Sequence, residues 1–254
     1  MAVDEAVLIA RTKDYAPNTL RFYLWSPSAV SVGRFQTVEN QVQLENCRTE
    51  GVDVVRRITG GGTVYHDCDG EITYSVVAKT SDLGTADIGL LYAKLYAGVA
   101  EAVQTLGVKS DFCVGTPKAC PNLTVKGRKI SGSAQTHRGG VVLQHGTLLL
   151  NVNLERMFTF LRVRWARTLA DVVNVAREKI TSINEELGRR ISHEESASAL
   201  TAGFSHALRI EPVEGELTPR EVDLAAKLLK EKYSYNAWNL SGETRQPSFS
   251  SPAT

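Results

Sequence analysis

An α/β domain with an appended helical end is the architecture this sequence predicts. Two patterns carry that expectation. β-type runs punctuated by Gly and Pro fill the first two thirds of the chain, and helical periodicity with clear start signals fills the last third. The first strand is TLRFYLW, where Leu20, Phe22 and Leu24 alternate with Arg21 and Tyr23, and EITYSVVA repeats the alternation through Ile72, Tyr74 and Val76. Leu91, Leu95, Val99, Ala102, Val103 and Leu106 then share one helical face, and Gly107 follows where a C-terminal cap belongs. LTV and RKISG read as a hairpin turning on Lys126 and Gly127, and VVLQHGTLLLNV as a long strand. Ser192 with Glu195 is a capping box ahead of Leu200, Phe204 and Leu208. Thr218-Pro219-Arg220-Glu221 opens a further helix, expected to bury Val222, Ala225, Leu228 and Leu229. One domain is therefore expected over 1–240, mainly helical from about 155, with 241–254 a disordered Ser-rich tail.

Composition narrows the function. The 254 residues carry 29 basic and 28 acidic side chains, a net charge of +1 that supplies no field for holding a phosphate backbone, so nucleic acid is not the expected partner. Every apolar run stops short of a membrane span, and Asp4 and Glu5 stand where a signal peptide would be basic. A cytoplasmic protein without a membrane role is expected. Cys47, Cys68, Cys113 and Cys120 form no CxxC pair, which argues against both a zinc site and a disulfide framework; no metal ligand is assigned.

Two stretches stand out chemically. In RRITGGGTVYHDCDGEITYS, Gly60, Gly61 and Gly62 give backbone freedom that suits close approach to a ligand, and Arg56 and Arg57 could add bidentate donors. A glycine-rich turn with solvated arginines is the alternative. His66 beside Asp67 reads as a base with its orienting partner or as a turn pair, since neighbours on a strand face opposite ways. In the second stretch, 113–146, Lys129 lies in a strand among small residues, Ser131, Gly132, Ser133 and Ala134. It can aim one compact charge at a carbonyl or phosphate, or lie on an exposed hairpin face. His145, between Leu143 and Thr147, reads first as a satisfied core residue. Cys113 and Cys120 flank a Pro-containing loop where a nucleophile or an incidental thiol would fit.

Taken in order, DEA at 4–6, RFY at 21–23, SVGRFQ at 31–36, RRITGGGTVYHD at 56–67, GRKISGSAQ at 127–135, LQHGTLLL at 143–150 and KYSYNAWN at 232–239 resemble the lipoate–protein ligase, octanoyltransferase and biotin–protein ligase superfamily, in its lipoyl branch. The resemblance implies a mixed, mostly antiparallel sheet flanked by helices, with the glycine loop and lysine strand lining an acyl tunnel. It also implies that Lys129 contacts the acyl carbonyl and phosphate, that Gly60, Gly61 and Gly62 shape the acyl pocket, and that Arg57 and His66 border it. Ser131, Gly132 and His145 complete the expected substrate-binding set.

The leading expectation from the resemblance is an ATP- and Mg2+-dependent lipoate–protein ligase, passing lipoate or octanoate through an acyl-adenylate to a lysine of a lipoyl domain or glycine-cleavage H protein. Ligases usually carry Asn-Asp before the motif lysine, where this chain has Cys120-Pro121-Asn122-Leu123. The chain ends soon after KYSYNAWN, which implies an accessory ligase subunit supplied as a separate protein, and family members have a strand ahead of MAVDEA, so this chain begins late. The alternative is a cysteine-dependent octanoyltransferase that uses a carrier-protein acyl donor and no ATP. There Cys113, four residues before Pro117, is the nucleophile and Cys120 the reserve. A non-catalytic acyl-carrier binding protein is the second alternative.

Overall fold

The computed structural model describes residues 1–116 and 120–243. In chain order these form α1 (Ala2–Thr12), β1 (Thr19–Tyr23), β2 (Ala29–Val32), α2 (Leu44–Thr49), β3 (Asp53–Arg56), β4 (Val64–His66), β5 (Glu71–Lys79), α3 (Ile88–Thr105), β6 (Asp111–Cys113), β7 (Asn122–Val125), β8 (Arg128–Arg138), β9 (Val141–Leu149), α4 (Leu154–Phe160), α5 (Leu169–Arg177), α6 (Ile183–Leu187), α7 (His193–Leu208) and α8 (Pro219–Leu228), followed by π-helical turns at Leu229–Tyr233 and Ala237–Ser241.

Six strands form one antiparallel sheet in the order β1-β5-β9-β8-β7-β6. A second sheet, β3-β2-β4, mixes a parallel β2–β3 pair with an antiparallel β2–β4 pair. The mixed, mostly antiparallel arrangement flanked by helices is the one expected. β9 is buried at every position and β5 at all but its last, because helices cover both faces of the large sheet. On one face, Leu91, Leu95 and Val99 of α3 and Leu200 and Phe204 of α7 pack against Tyr74, Ile130 and Leu148. On the other, Val7 and Leu8 of α1 pack against Val77, Val141 and Leu143. The small sheet keeps its own cluster around Val30, Val32, Tyr65 and Phe160. Among the described residues, no helix is long and apolar enough to cross a membrane.

The hairpin between β7 and β8 turns on Lys126 and Gly127, both with positive φ (51° and 79°), the backbone of a type I′ turn. Thr218 and Glu221 form the full capping box of α8 with Pro219 at its first position. Only half of the box at Ser192 forms: its hydroxyl accepts from the Glu195 N–H, while the Glu195 carboxylate turns to Arg189. The apolar face assigned to α8 is corrected. Val222 and Leu229 are exposed, because α8 is an outer layer lying on α1 and its buried side chain is Glu221. The expected tail is corrected at its start, where Ser241 still belongs to the second π turn and Gly242 N–H bonds to Trp238 O; 244–254 lie outside the described residues.

Candidate active site

Lys129 owes its position to an irregularity in pairing. The β7–β8 register shifts between Leu123 and Thr124, so that Leu123 faces Ser131 while Thr124 faces Lys129. Such a bulge re-aims a side chain. The Lys129 backbone is then fixed from a third direction: its N–H donates to Lys179 O at 2.7 Å and its carbonyl accepts from Thr181 N–H at 3.0 Å. The side chain lies back over Gly132, where a Cβ would come within 2.5 Å of Nζ. Lys129 is open to the cleft, yet protein atoms surround its ammonium, so desolvation lowers its pKa; Cys120 opposes that shift and the like charge of Arg57 adds to it.

Cys120 faces the same cleft. Its Sγ is 3.4 Å from where a Gly61 Cβ would lie, in the same surroundings as Ala134 and the Arg57 guanidinium. Cys113 ends β6 with Sγ 3.5 Å from Thr124 Oγ1. It occupies the cross-strand row Cys113–Asn122–Gly132, two strands from Gly132 and therefore roughly 10 Å along the sheet from it. Of the two thiols, Cys120 lies against the glycine loop, and Cys113 lies against Thr124, the cross-strand partner of Lys129.

Opposite Lys129 lies the glycine loop, held by Arg57. The Arg57 Nε–H donates to Thr59 Oγ1, Nη1 to the carbonyl and hydroxyl of Ser31, and Nη2 to the carbonyls of Gly60 (2.7 Å) and Gly62 (2.6 Å), which uses all five N–H groups. Burial pushes its pKa down to about 10, so it stays charged near neutrality. Gly61 takes φ 86° and presses its carbonyl on Gly33, where a Cβ would be 2.2 Å away, so position 33 tolerates no side chain. Beside Gly60 and Gly62 a Cβ would meet open space.

Both arginines are corrected as ligand donors, because their donors are spent on the protein. Arg56, 1 % exposed, gives its guanidinium to the carbonyls of Gly33, Arg34, Gln36, Trp238 and Leu240, while Trp238 Nε1 donates back to Arg56 O. KYSYNAWN thus ends against the strand that leads into the glycine loop.

The two histidines are buried and fully engaged. His66 stacks on Trp25 and bridges Glu71 Oε1 (2.6 Å) and Ser31 Oγ (2.8 Å), so its orienting carboxylate is Glu71; Asp67 instead accepts from Tyr65. His145 bridges Asp4 Oδ2 and Thr59 Oγ1, each at 2.8 Å, and burial lowers its pKa. Ser131 is corrected as a cleft residue: the bulge turns it inward with Leu123, fully buried near Tyr74 and outside the cleft. Asp4, Glu71, Ser31, Thr59 and Tyr92 are neighbours of the site that the sequence reading did not single out. Asp4 was legible only as part of the DEA run at 4–6, an acidic pair among apolar residues.

A lysine folded over Gly132 and a thiol against a glycine loop, on an antiparallel sheet flanked by helices, place the protein among α/β domains. The chain belongs to the lipoyl protein ligase A/B catalytic domain family, whose model matches residues 1–205. Within it, the chain is 36 % identical to octanoyltransferase LipM of Symbiobacterium thermophilum and 34 % identical to octanoyltransferase LipM of Brevibacillus brevis, in each case over 94 % of this chain and 93 % of the relative. Among solved structures it resembles a bipartite lipoate protein ligase from Thermoplasma acidophilum, solved in a study that includes its E2 lipoyl domain (TM-score 0.83, 28 % identity, 97 % of this chain and 92 % of that one). It also resembles lipoate-protein ligase A bound with ATP (TM-score 0.80, 29 % identity, 94 % and 92 %). These relatives overturn the ATP-dependent ligase as the leading expectation, since proteins 32–36 % identical over 94 % of the chain are octanoyltransferases. The substitution of Cys120-Pro121-Asn122-Leu123 for a carboxylate ahead of the lysine agrees with that correction.

Proposed function

We propose that the protein is an octanoyltransferase that moves an octanoyl group from a carrier-protein thioester, through a thioester on Cys120, to the amine of a lysine on a lipoyl domain or glycine-cleavage H protein. The carrying observation is the Cys120 thiol in the cleft beside Lys129 and the glycine loop. The Cys120 thiolate attacks the octanoyl carbonyl; the carbon–sulfur bond to the carrier breaks, and the carrier thiol leaves with a proton. The acceptor amine then attacks the Cys120 thioester, an amide forms, and Cys120 is released as thiol with the proton that the amine gives up. No nucleotide is consumed in either half. Each half passes through a tetrahedral oxyanion, for which the Lys129 ammonium is the fixed cation in reach. The bond-free sides of Gly60 and Gly62 leave room for the chain of the acyl group.

The test is intact-mass spectrometry after incubation with octanoyl carrier protein in the absence of ATP. One octanoyl group on the wild type and on Cys113→Ser, none on Cys120→Ser, and discharge on adding a lipoyl domain are the expected results. An adduct lost in Cys113→Ser and kept in Cys120→Ser would move the nucleophile to Cys113 and leave the transfer reaction standing. Absence of any adduct, with transfer only when ATP is supplied, would overturn the proposal.

A further inference from the structure

Arg57 is the meeting point of two hydrogen-bonded chains of the same design. One runs from Arg57 Nε–H to Thr59 Oγ1 (3.1 Å), on to His145 Nε2 (2.8 Å), and from His145 Nδ1 to Asp4 Oδ2 (2.8 Å). The other runs from Arg57 Nη1–H to Ser31 Oγ (3.1 Å), on to His66 Nε2 (2.8 Å), and from His66 Nδ1 to Glu71 Oε1 (2.6 Å). Each chain is guanidinium, hydroxyl, imidazole, carboxylate. The guanidinium only donates and the carboxylate only accepts, so with a neutral imidazole each chain has one polarity: the hydroxyl accepts from Arg57 and donates to the Nε2 lone pair, and the Nδ1 proton lies against the carboxylate.

We infer that Asp4 and Glu71 are positioning residues, each acting through a histidine and a hydroxyl to fix the Arg57 guanidinium and, through it, the carbonyls of Gly60 and Gly62. Both carboxylates are buried, Asp4 to 1 % and Glu71 to 2 % exposure, and neither touches the cleft loop itself. Asp4 is further held by Arg21 Nη2 (2.7 Å) and Tyr23 OH (3.0 Å), and Glu71 by Thr73 Oγ1 (3.0 Å). These supports come from α1, β1 and β5, so the rigid sheet and its covering helix set the place of a loop that has no strand partners of its own choosing. With both chains intact the guanidinium plane has one orientation, and only then do both Nη2–H groups meet the two glycine carbonyls. Rotation of that plane would release the loop wall that faces Cys120 and Lys129.

The consequence for catalysis rests on the proposed octanoyl transfer; the consequence for Arg57 does not, and the experiment separates them. In a double-mutant cycle of Asp4→Asn and Thr59→Val, each single variant should lower kcat about tenfold with KM for both carrier proteins within twofold. Adding Asp4→Asn to Thr59→Val should then cost less than twofold more, because the chain is already cut. In parallel, 15N NMR of the side chains should show a slowly exchanging Arg57 Nε–H in the wild type that exchanges faster in both single variants. Should Asp4→Asn not fold, His145→Gln cuts the same chain and leaves Asp4 with Arg21 and Tyr23. Multiplicative losses in kcat, or an Arg57 signal unchanged by cutting the chain, would overturn the inference. An Arg57 signal that responds in a protein with no octanoyl transfer would overturn the functional proposal alone.

Discussion

The Lys129 ammonium lies directly above the α-carbon of Gly132, three residues on in the same strand, in the space a Cβ would fill: Nζ and Cε would be 2.5 and 2.6 Å from it. The absent side chain is thus what lets the lysine fold back along its own strand into the cleft. Gly132→Ala should displace the flexible end of Lys129 and leave the sheet intact. The expected outcome is a drop in kcat of about tenfold with a melting temperature near that of the wild type. Unchanged kcat would show that Lys129 works equally well from another rotamer.

Lys129→Ala should lower octanoyl transfer by at least about a hundredfold, comparable to deleting one oxyanion donor. Its side chain faces the cleft and carries no core packing, so stability should hold. Single-turnover measurement of thioester formation on the enzyme, and then of its discharge to a lipoyl domain, should find both halves slowed. A residual activity within threefold of wild type would remove Lys129 from the oxyanion role.

Acid should weaken the fold through His145. Burial lowers its folded pKa below 6.5, so the unfolded chain binds a proton at pH values where the folded chain does not. Stability therefore rises with pH in this window and is lost as pH falls below about 6.5. Asp4, whose pKa lies well below 3.8 in the fold despite its burial, because of its hydrogen bond to His145 and the charges around it, contributes stability that survives to lower pH and disappears only as pH falls through that depressed value. Urea midpoints of the wild type and of His145→Gln, measured from pH 8 to pH 5, should converge toward acid, the wild type falling more steeply and the variant losing less. Parallel curves would deny His145 this part.

The strands, the hairpin and the capped helices were legible because each is written within ten or so neighbouring residues: Lys126 and Gly127 can turn a hairpin, and Thr218 and Glu221 can close a box, without help from afar. Lys129, the glycine loop and the two cysteines were legible as chemistry for the same reason. Their arrangement was not. Asp4 meets His145 across 141 positions, and the DEA run that contains it says nothing of that meeting. Arg57 beside three glycines resembles a ligand donor until the carbonyls that absorb its N–H groups are seen. Cys113 stands out by its spacing to Pro117, while the approach of Cys120 to Gly61 joins residues far apart in the chain and leaves no local mark.

The clasp of Arg56 on Trp238 and Leu240 sets an order of assembly. Its guanidinium is buried by residues made more than 180 positions later, and the strand it sits on leads straight into the glycine loop. During synthesis that arginine must remain hydrated, and the edge of β3 open, until the last turns of the chain arrive. The loss of entropy in closing so long a loop grows only slowly with its length, so the delay is one of timing and not of stability. The strand that leads into the glycine loop is thus sealed late, whereas the loop wall held by Arg57 draws its supports from residues made much earlier, the last of them His145.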